Sequence, residues 1–241
     1  MMSLAVILSL FFAFLTFGLT GFGSGLVAMS LLTPLIGVET AAPFFALLSI
    51  GAEVLMFLRY RHAINLRSVW RLALGSLIAI PIGLTLIHSL NEQVVLVLLG
   101  IVVGGYGLYS LIAPTLPELA NSYRWGFPFG FLSGLLTGAY NTGGPPLIIY
   151  ANLSRWQREE YKSNLPGIFM LNSAIVISSH VLAGHYTPMI LQNVVFGLPV
   201  VLLGLVTGWS LDKRVNPELF RKLVLVLLVF IGLRLILTNL G

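Results

Sequence analysis

The chain of 241 residues contains no cysteine, which excludes a disulfide framework and a thiolate metal site. Charge is scarce. Only 9% of residues are Asp, Glu, Lys or Arg, against about 25% in a typical soluble domain. With 57% hydrophobic residues, a soluble fold could not cover its own surface, so a soluble enzyme and a disordered chain are both excluded. Thirteen Lys/Arg and a net charge of +5 cannot make a nucleic-acid surface on so apolar a chain. No basic residue precedes the first apolar stretch, so the N-terminus lacks the usual form of a signal peptide. There is no nucleophile–base arrangement, Walker motif or metal-ligand spacing. Transport rather than catalysis is expected, with no cofactor and no metal.

Long charge-free runs are what the chain does have, at residues 1–38, 72–91, 93–117, 125–154 and 163–211. A spanning helix needs roughly 20 apolar residues. Divided at Gly, Pro and Asn, the runs predict helices at 4–20, 26–37, 41–58, 72–90 and 94–113. A second series is predicted at 125–140, 147–153, 165–184, 189–211 and 223–240. The two series repeat one another. At an offset of 125 residues Gly83, Leu86, Asn91 and Gly107 fall on Gly208, Leu211, Asn216 and Gly232. Leu19-Thr20-Gly21 matches Leu136-Thr137-Gly138.

The positions of the basic residues give the topology. Residues 59–71 hold four Lys/Arg, 114–124 one, 155–162 three and 212–222 four. The turns at 38–40, 88–93 and 184–188 hold none. Eight simple crossings would put five basic residues on one side and seven on the other, which is no bias. If each Gly-rich break is instead the tip of a hairpin returning to its own side, all twelve fall on one face, as the positive-inside rule requires. The arms 26–37 and 147–153 are also too short to span. The expected fold is an all-α polytopic membrane protein with two inverted repeats, 1–113 and 125–241, joined by a cytoplasmic linker, 114–124. Each repeat is a re-entrant helical hairpin plus three transmembrane helices, and both termini lie outside. The net charge then marks the cytoplasmic face and not a substrate site.

The breaks carry the chemistry. One, after Gly21, runs Phe22-Gly23-Ser24-Gly25; the other runs Asn141-Thr142-Gly143-Gly144-Pro145-Pro146. Irregular backbone at membrane depth is tolerated only when buried in protein or lining a wet cavity. Paired breaks in the two halves of a duplicated chain mark a transporter's central site. Each returning arm presents unpaired N–H groups and a positive dipole end toward its tip. Glycine lets a ligand approach the backbone, and Pro145 and Pro146 suit a helix start. The candidate anion site is therefore Gly21, Gly23, Ser24, Gly25, Asn141, Thr142, Gly143 and Gly144. Pure close packing is the competing reading of such glycines, and it is the one given to Gly100–Gly104, Gly130–Gly134 and Gly104-Gly105.

Leu19-Thr20-Gly21-Phe22-Gly23-Ser24-Gly25 resembles the opening motif of the sulfite exporter TauE/SafE family, also called the toluene sulfonate uptake permease family. So does Leu136 through Pro146, with Gly-Gly-Pro-Pro leading into Leu147-Ile148-Ile149-Tyr150 as the more specific element. The resemblance implies a transporter of sulfur-containing oxyanions such as sulfite or organosulfonates. The expected partners are that anion and the lipid bilayer, with a homo-oligomer left open. The expected mode is alternating access, with export favoured by basic loops at the cytoplasmic mouth. The alternatives are an anion channel with the same filter, a transporter of another small organic anion, an intramembrane enzyme and a non-transporting scaffold.

The remaining polar residues read two ways. Glu53 is either a proton carrier or a residue near the inner interface paired with Arg59 or a neighbouring loop Arg. Arg234, the one basic residue outside the loops, either snorkels to the outer surface or lends fixed positive charge to the anion path. His88, His180 and His185 fall toward outer helix ends, and His62 lies in the inner basic loop. Asn172-Ser173 and Gln192-Asn193 either bond across helices or line a cavity. Trp70, Trp125, Trp156 and Trp209 are expected in the inner aromatic belt.

Overall fold

A computed structural model describes residues 2–88, 91–112, 122–212 and 217–239, and these are mostly helical. Among the described residues ten α-helices follow in order: α1 (Leu4–Thr20), α2 (Ser24–Ile36), α3 (Val38–Tyr60), α4 (Leu66–His88), α5 (Glu92–Ile112), α6 (Gly126–Tyr140), α7 (Gly144–Leu153), α8 (Arg158–Leu182), α9 (Pro188–Leu211) and α10 (Pro217–Asn239). The expected linker lies outside the described residues except for 122–124. The side chain of His88 and residues 213–216 also lie outside them.

Helix starts differ most from expectation, because polar first turns hide them. α8 begins seven residues earlier than its apolar run, where Gln157 and Glu160 form a reciprocal capping box. α7 begins at Gly144 with prolines in its first turn, where a missing N–H costs nothing. Among the described residues, α3, α4, α8 and α9 contain segments long and apolar enough to cross a membrane. α5 and α10, at 21 and 23 residues, have shorter described apolar parts, Leu96–Ile112 and Val224–Asn239. α2 and α7 have 13 and 10 residues, so they reach about 20 and 15 Å, well short of a 30 Å hydrocarbon core.

Much of the packing is shared between the two series, although α2 meets α3 without a comparable α7–α8 pairing. α4 lies along α6 and α1 along α9; α3 lies along α8 and α5 along α10; α3 also meets α9, and α8 meets α4. Exchanging α1–α5 for α6–α10 carries this set of six pairings into itself. The matched glycines behave alike: a Cβ on Gly83 would strike the Leu135 carbonyl in α6, and one on Gly208 the Leu15 carbonyl in α1. Gly100 and Gly104 press on Gly232, and Gly130 on Leu72, as small-residue packing requires. Gly105 departs from the packing reading, since nothing lies within 4 Å of its Cβ position.

The described parts of the basic connections touch one another. Arg71 donates to the Tyr123 carbonyl at 3.3 Å, His62 meets Glu159 at 3.5 Å, and Asp212 bridges Arg158 at 2.5 Å and Lys162 at 2.6 Å. Arg71 and Arg59 lie over the rings of Trp70 and Trp209, and Trp70 and Trp125 are half exposed. Trp156 leaves the belt: it is buried, edge-on to Tyr150 and Tyr161. Large apolar side chains such as Phe230, Leu203 and Phe196 face outward, a surface suited to lipid and not to water. The core runs through the short arms. Phe14 and Phe17 of α1, Leu26 and Met29 of α2, Leu48 of α3 and Tyr150 of α7 are fully buried.

Candidate functional site

Both breaks are shaped by left-handed backbone. α1 closes on Gly21 (φ 83°), whose N–H bonds the Phe17 carbonyl at 2.7 Å. Gly23 (φ 87°) then caps α2 without any side-chain hydrogen bond. Such angles cost a side chain but not glycine. The first internal bond of α2 runs from Val27 N–H to the Gly23 carbonyl at 3.0 Å. The N–H groups of Ser24, Gly25 and Leu26 therefore have no acceptor within the helix. α6 closes on Asn141 (φ 52°), a residue type that tolerates this region. The Asn141 side-chain amide donates to the Ala42 carbonyl of α3 at 3.0 Å, and Ser133 Oγ donates to the Gly143 carbonyl at 2.7 Å. The two tips are thus unequal. α2 offers three first-turn N–H groups, whereas Pro145 and Pro146 leave α7 with the N–H of Gly144 in its first three positions.

The tips touch. A Cβ on Gly25 would overlap the Asn141 carbonyl oxygen, and one on Gly143 would overlap Thr137 and Ser133. Between them lies a cavity with about 40 Å³ of room for water centres. Since one water needs about 10–15 Å³ by the same measure, this suits a few waters or one small anion. Of the eight candidate residues, Gly23, Ser24, Gly25, Asn141, Thr142, Gly143 and Gly144 line it. Gly21 does not; it rests on the backbone and side chain of Lys162.

The wall also contains residues that the breaks alone did not identify. Leu26, Thr137, Asn172, Ser173, Glu53, Phe45 and Phe169 complete it. Asn172 satisfies both of its readings: it lines the cavity and accepts a 2.7 Å bond from Ser76 Oγ across to α4. Ser49 and Ser173, whose hydroxyls approach to 3.4 Å, are the polar side chains beside the Glu53 carboxyl. Glu53 is not paired with Arg59, whose guanidinium lies over the Tyr60 and Trp209 rings. The signal for Ser49 was its position four residues before Glu53, on the same helix face. Four wall atoms are buried without any hydrogen-bond partner: Thr137 Oγ1, Thr142 Oγ1, Glu53 Oε2 and Asn172 Nδ2. Buried polar atoms of this kind call for a ligand or water.

No Lys or Arg lines this cavity. Arg234 is exposed on α10, away from it, and Gln192 is also exposed. His180 and His185 lie together at the far end of α8, their Nδ1 atoms 2.8 Å apart. Tyr186 packs edge-on to His180, and burial pushes its hydroxyl up to about 12, so it stays neutral. Among the described residues no group of three or more metal-ligating side chains is present.

The model of the family "Sulfite exporter TauE/SafE" matches residues 6–235. One relative is the "Probable sulfite/organosulfonate exporter TauE" of Cupriavidus necator. It is 24% identical over 224 residues, covering 90% of this chain and 87% of the relative. Another is the "Probable inner membrane transporter protein TsaS" of Comamonas testosteroni, 29% identical over 186 residues, or 71% of this chain and 74% of that one. No solved structure matches the chain.

Proposed function

The chain belongs to the sulfite exporter TauE/SafE family of membrane transporters, and from that premise we propose that it carries small sulfur-containing oxyanions, sulfite or organosulfonates, out of the cell. The supporting observation is the cavity in which two uncapped helix N-termini, one from each half of the chain, meet beside orphaned hydroxyl groups. An anion there would be held by backbone N–H groups of α2, by the positive ends of two dipoles and by the Thr137 and Thr142 hydroxyls. No cationic side chain takes part, which suits a site that must release its cargo as well as bind it.

The same reading assigns 1–113 and 125–241 to inverted repeats, each a re-entrant hairpin plus three spanning helices, with 114–124 cytoplasmic and both termini outside. The shared pairing pattern and the contacts among the basic connections support it. Transport would proceed by alternating access, one repeat moving against the other. A cavity of about 40 Å³ suits sulfite or a very small sulfonate; larger sulfonates require the tips to part.

The test is counterflow in vesicles containing the purified chain. Preloaded unlabelled sulfite should accelerate entry of labelled sulfite. Entry without acceleration indicates a channel, and entry no faster than in empty vesicles overturns the reading.

A further inference from the structure

The cavity assigned to an anion contains a carboxyl group and no cation. Glu53 is the only titratable residue among those lining it. It is 5% exposed, and its Oε2 has no hydrogen-bond partner. The groups that reach it, Ser49 and Ser173, are uncharged.

The charged groups on the elements packed against α3 are placed elsewhere. On α3 itself, Glu39 heads the opposite end and Arg59 lies over aromatic rings. On α8, Lys162 is held by Asp212, Glu159 faces His62, Glu160 accepts from the Gln157 N–H, and Arg158 also meets Asp212. His180 sits with His185 seven residues beyond Ser173, about 10 Å along the helix. Arg61 and His62 belong to the short turn after α3. α2 and α9 carry no charged residue. No charged side chain on these elements offsets a negative charge in the cavity.

Two negative charges cannot share this volume cheaply. At a separation of ~5 Å and an effective dielectric of ~20, an ionised Glu53 would weaken anion binding by roughly a few hundredfold. Protonation removes the repulsion. It also turns the carboxyl from a pure acceptor into a group with one O–H donor, which an oxyanion can accept.

We infer that Glu53 is a proton site linked to anion binding: the cavity loads an anion together with one proton, which passes from water to the Glu53 carboxylate. Anion and proton then cross in the same direction. This rests on the anion site proposed above and adds its coupling ion.

The probe is ethanesulfonate, whose charge stays fixed across the accessible pH range. Its binding to the full chain in detergent is followed by calorimetry from about pH 5 to about pH 9. Affinity should be level at the acid end and then weaken about tenfold per pH unit, to a total of roughly a hundredfold or more. At the alkaline end, calorimetry in buffers of different ionisation enthalpy should count one proton taken up per sulfonate bound. Infrared difference spectra there should show a protonated carboxyl band growing as sulfonate is added. E53Q should bind at the acid-limit affinity at every pH, with no such band. Level wild-type affinity without proton uptake overturns the inference and leaves the anion site standing. Unchanged pH dependence in E53Q assigns the proton to another group and also overturns it. No binding of ethanesulfonate or sulfite at any pH overturns the anion site, and this inference with it. If E53Q does not fold, the wild-type titration, proton count and infrared band decide the matter alone.

Discussion

Gly25→Ala should pry the two tips apart. A methyl group there would stand roughly 1 Å inside the contact distance that a carbon and the Asn141 carbonyl oxygen require. The obstacle is backbone and cannot rotate away. Asn141 is itself braced, through its own N–H to the Thr137 carbonyl at 2.8 Å and its side chain to Ala42 at 3.0 Å. The strain must therefore move α2 relative to α6 by about an ångström. Overpacking of this kind costs about 1–3 kcal/mol of stability, and a 1 Å misplacement of a positioned group can cost about a hundredfold in function. Sulfite affinity should drop at least about tenfold, or about 1.4 kcal/mol, and melting in detergent should shift down. Gly105→Ala is the matched control. Nothing lies within 4 Å of its Cβ position, so it should lose neither stability nor binding, helix propensity favouring Ala by about 0.5–1 kcal/mol. Gly25→Ala protein with unaltered affinity and melting would refute the apposition of the tips.

Asp212→Asn should destabilise the chain by about 3–5 kcal/mol, because it strands the Lys162 ammonium, which is 3% exposed and 2.6 Å from that carboxylate. Adding Lys162→Met should recover much of the loss, and a double-mutant cycle of detergent melting temperatures without coupling would contradict the pair. Ser76→Ala leaves the Asn172 carbonyl oxygen without its 2.7 Å donor and should cost about 1–3 kcal/mol, read by the same melts. Single cysteines at Ser3 and Asn239 of this cysteine-free chain should both react with an impermeant maleimide on intact cells; protection of either contradicts the inverted topology.

Much of the fold was legible because hydropathy alone separates apolar segments at this length. α1 begins and ends as the sequence predicts, and all ten segments are helices. The early start of α8 was hidden because Arg158, Glu159 and Glu160 read as loop until the capping partner Gln157 is recognised. Seven of the eight break residues meet in one cavity, since glycine-rich backbone advertises itself in an apolar chain. The face of each helix that turns inward was not legible, because neighbours on every side are apolar and the hydrophobic pattern has little amphipathic period. That concealed the burial of Lys162 and the outward position of Gly105, and it left both readings of Glu53 and of Asn172 open.

The division of labour within the site follows from that geometry. On the proposed reading the two breaks play different roles. The first keeps three consecutive N–H groups free, with glycines before and within the turn. The second gives up donors to Pro145 and Pro146 and commits its amide side chain to α3 and its Gly143 carbonyl to α6. A segment tied to both neighbours would serve as a wall, and a segment with spare donors as the anion's partner. Anion recognition should therefore depend mainly on the α2 end, and the position of that end on the Asn141 turn, because Gly25 can approach no closer. On this reading a substitution in the second break acts on affinity chiefly by displacing the first. Gly143→Ala, whose methyl would press on Thr137 and Ser133, should then weaken sulfite binding and melting together. Ser24→Ala, with only a hydroxyl removed at the α2 end, should weaken binding with little change in melting. A reversal of that pattern would mean that the second tip is the principal donor.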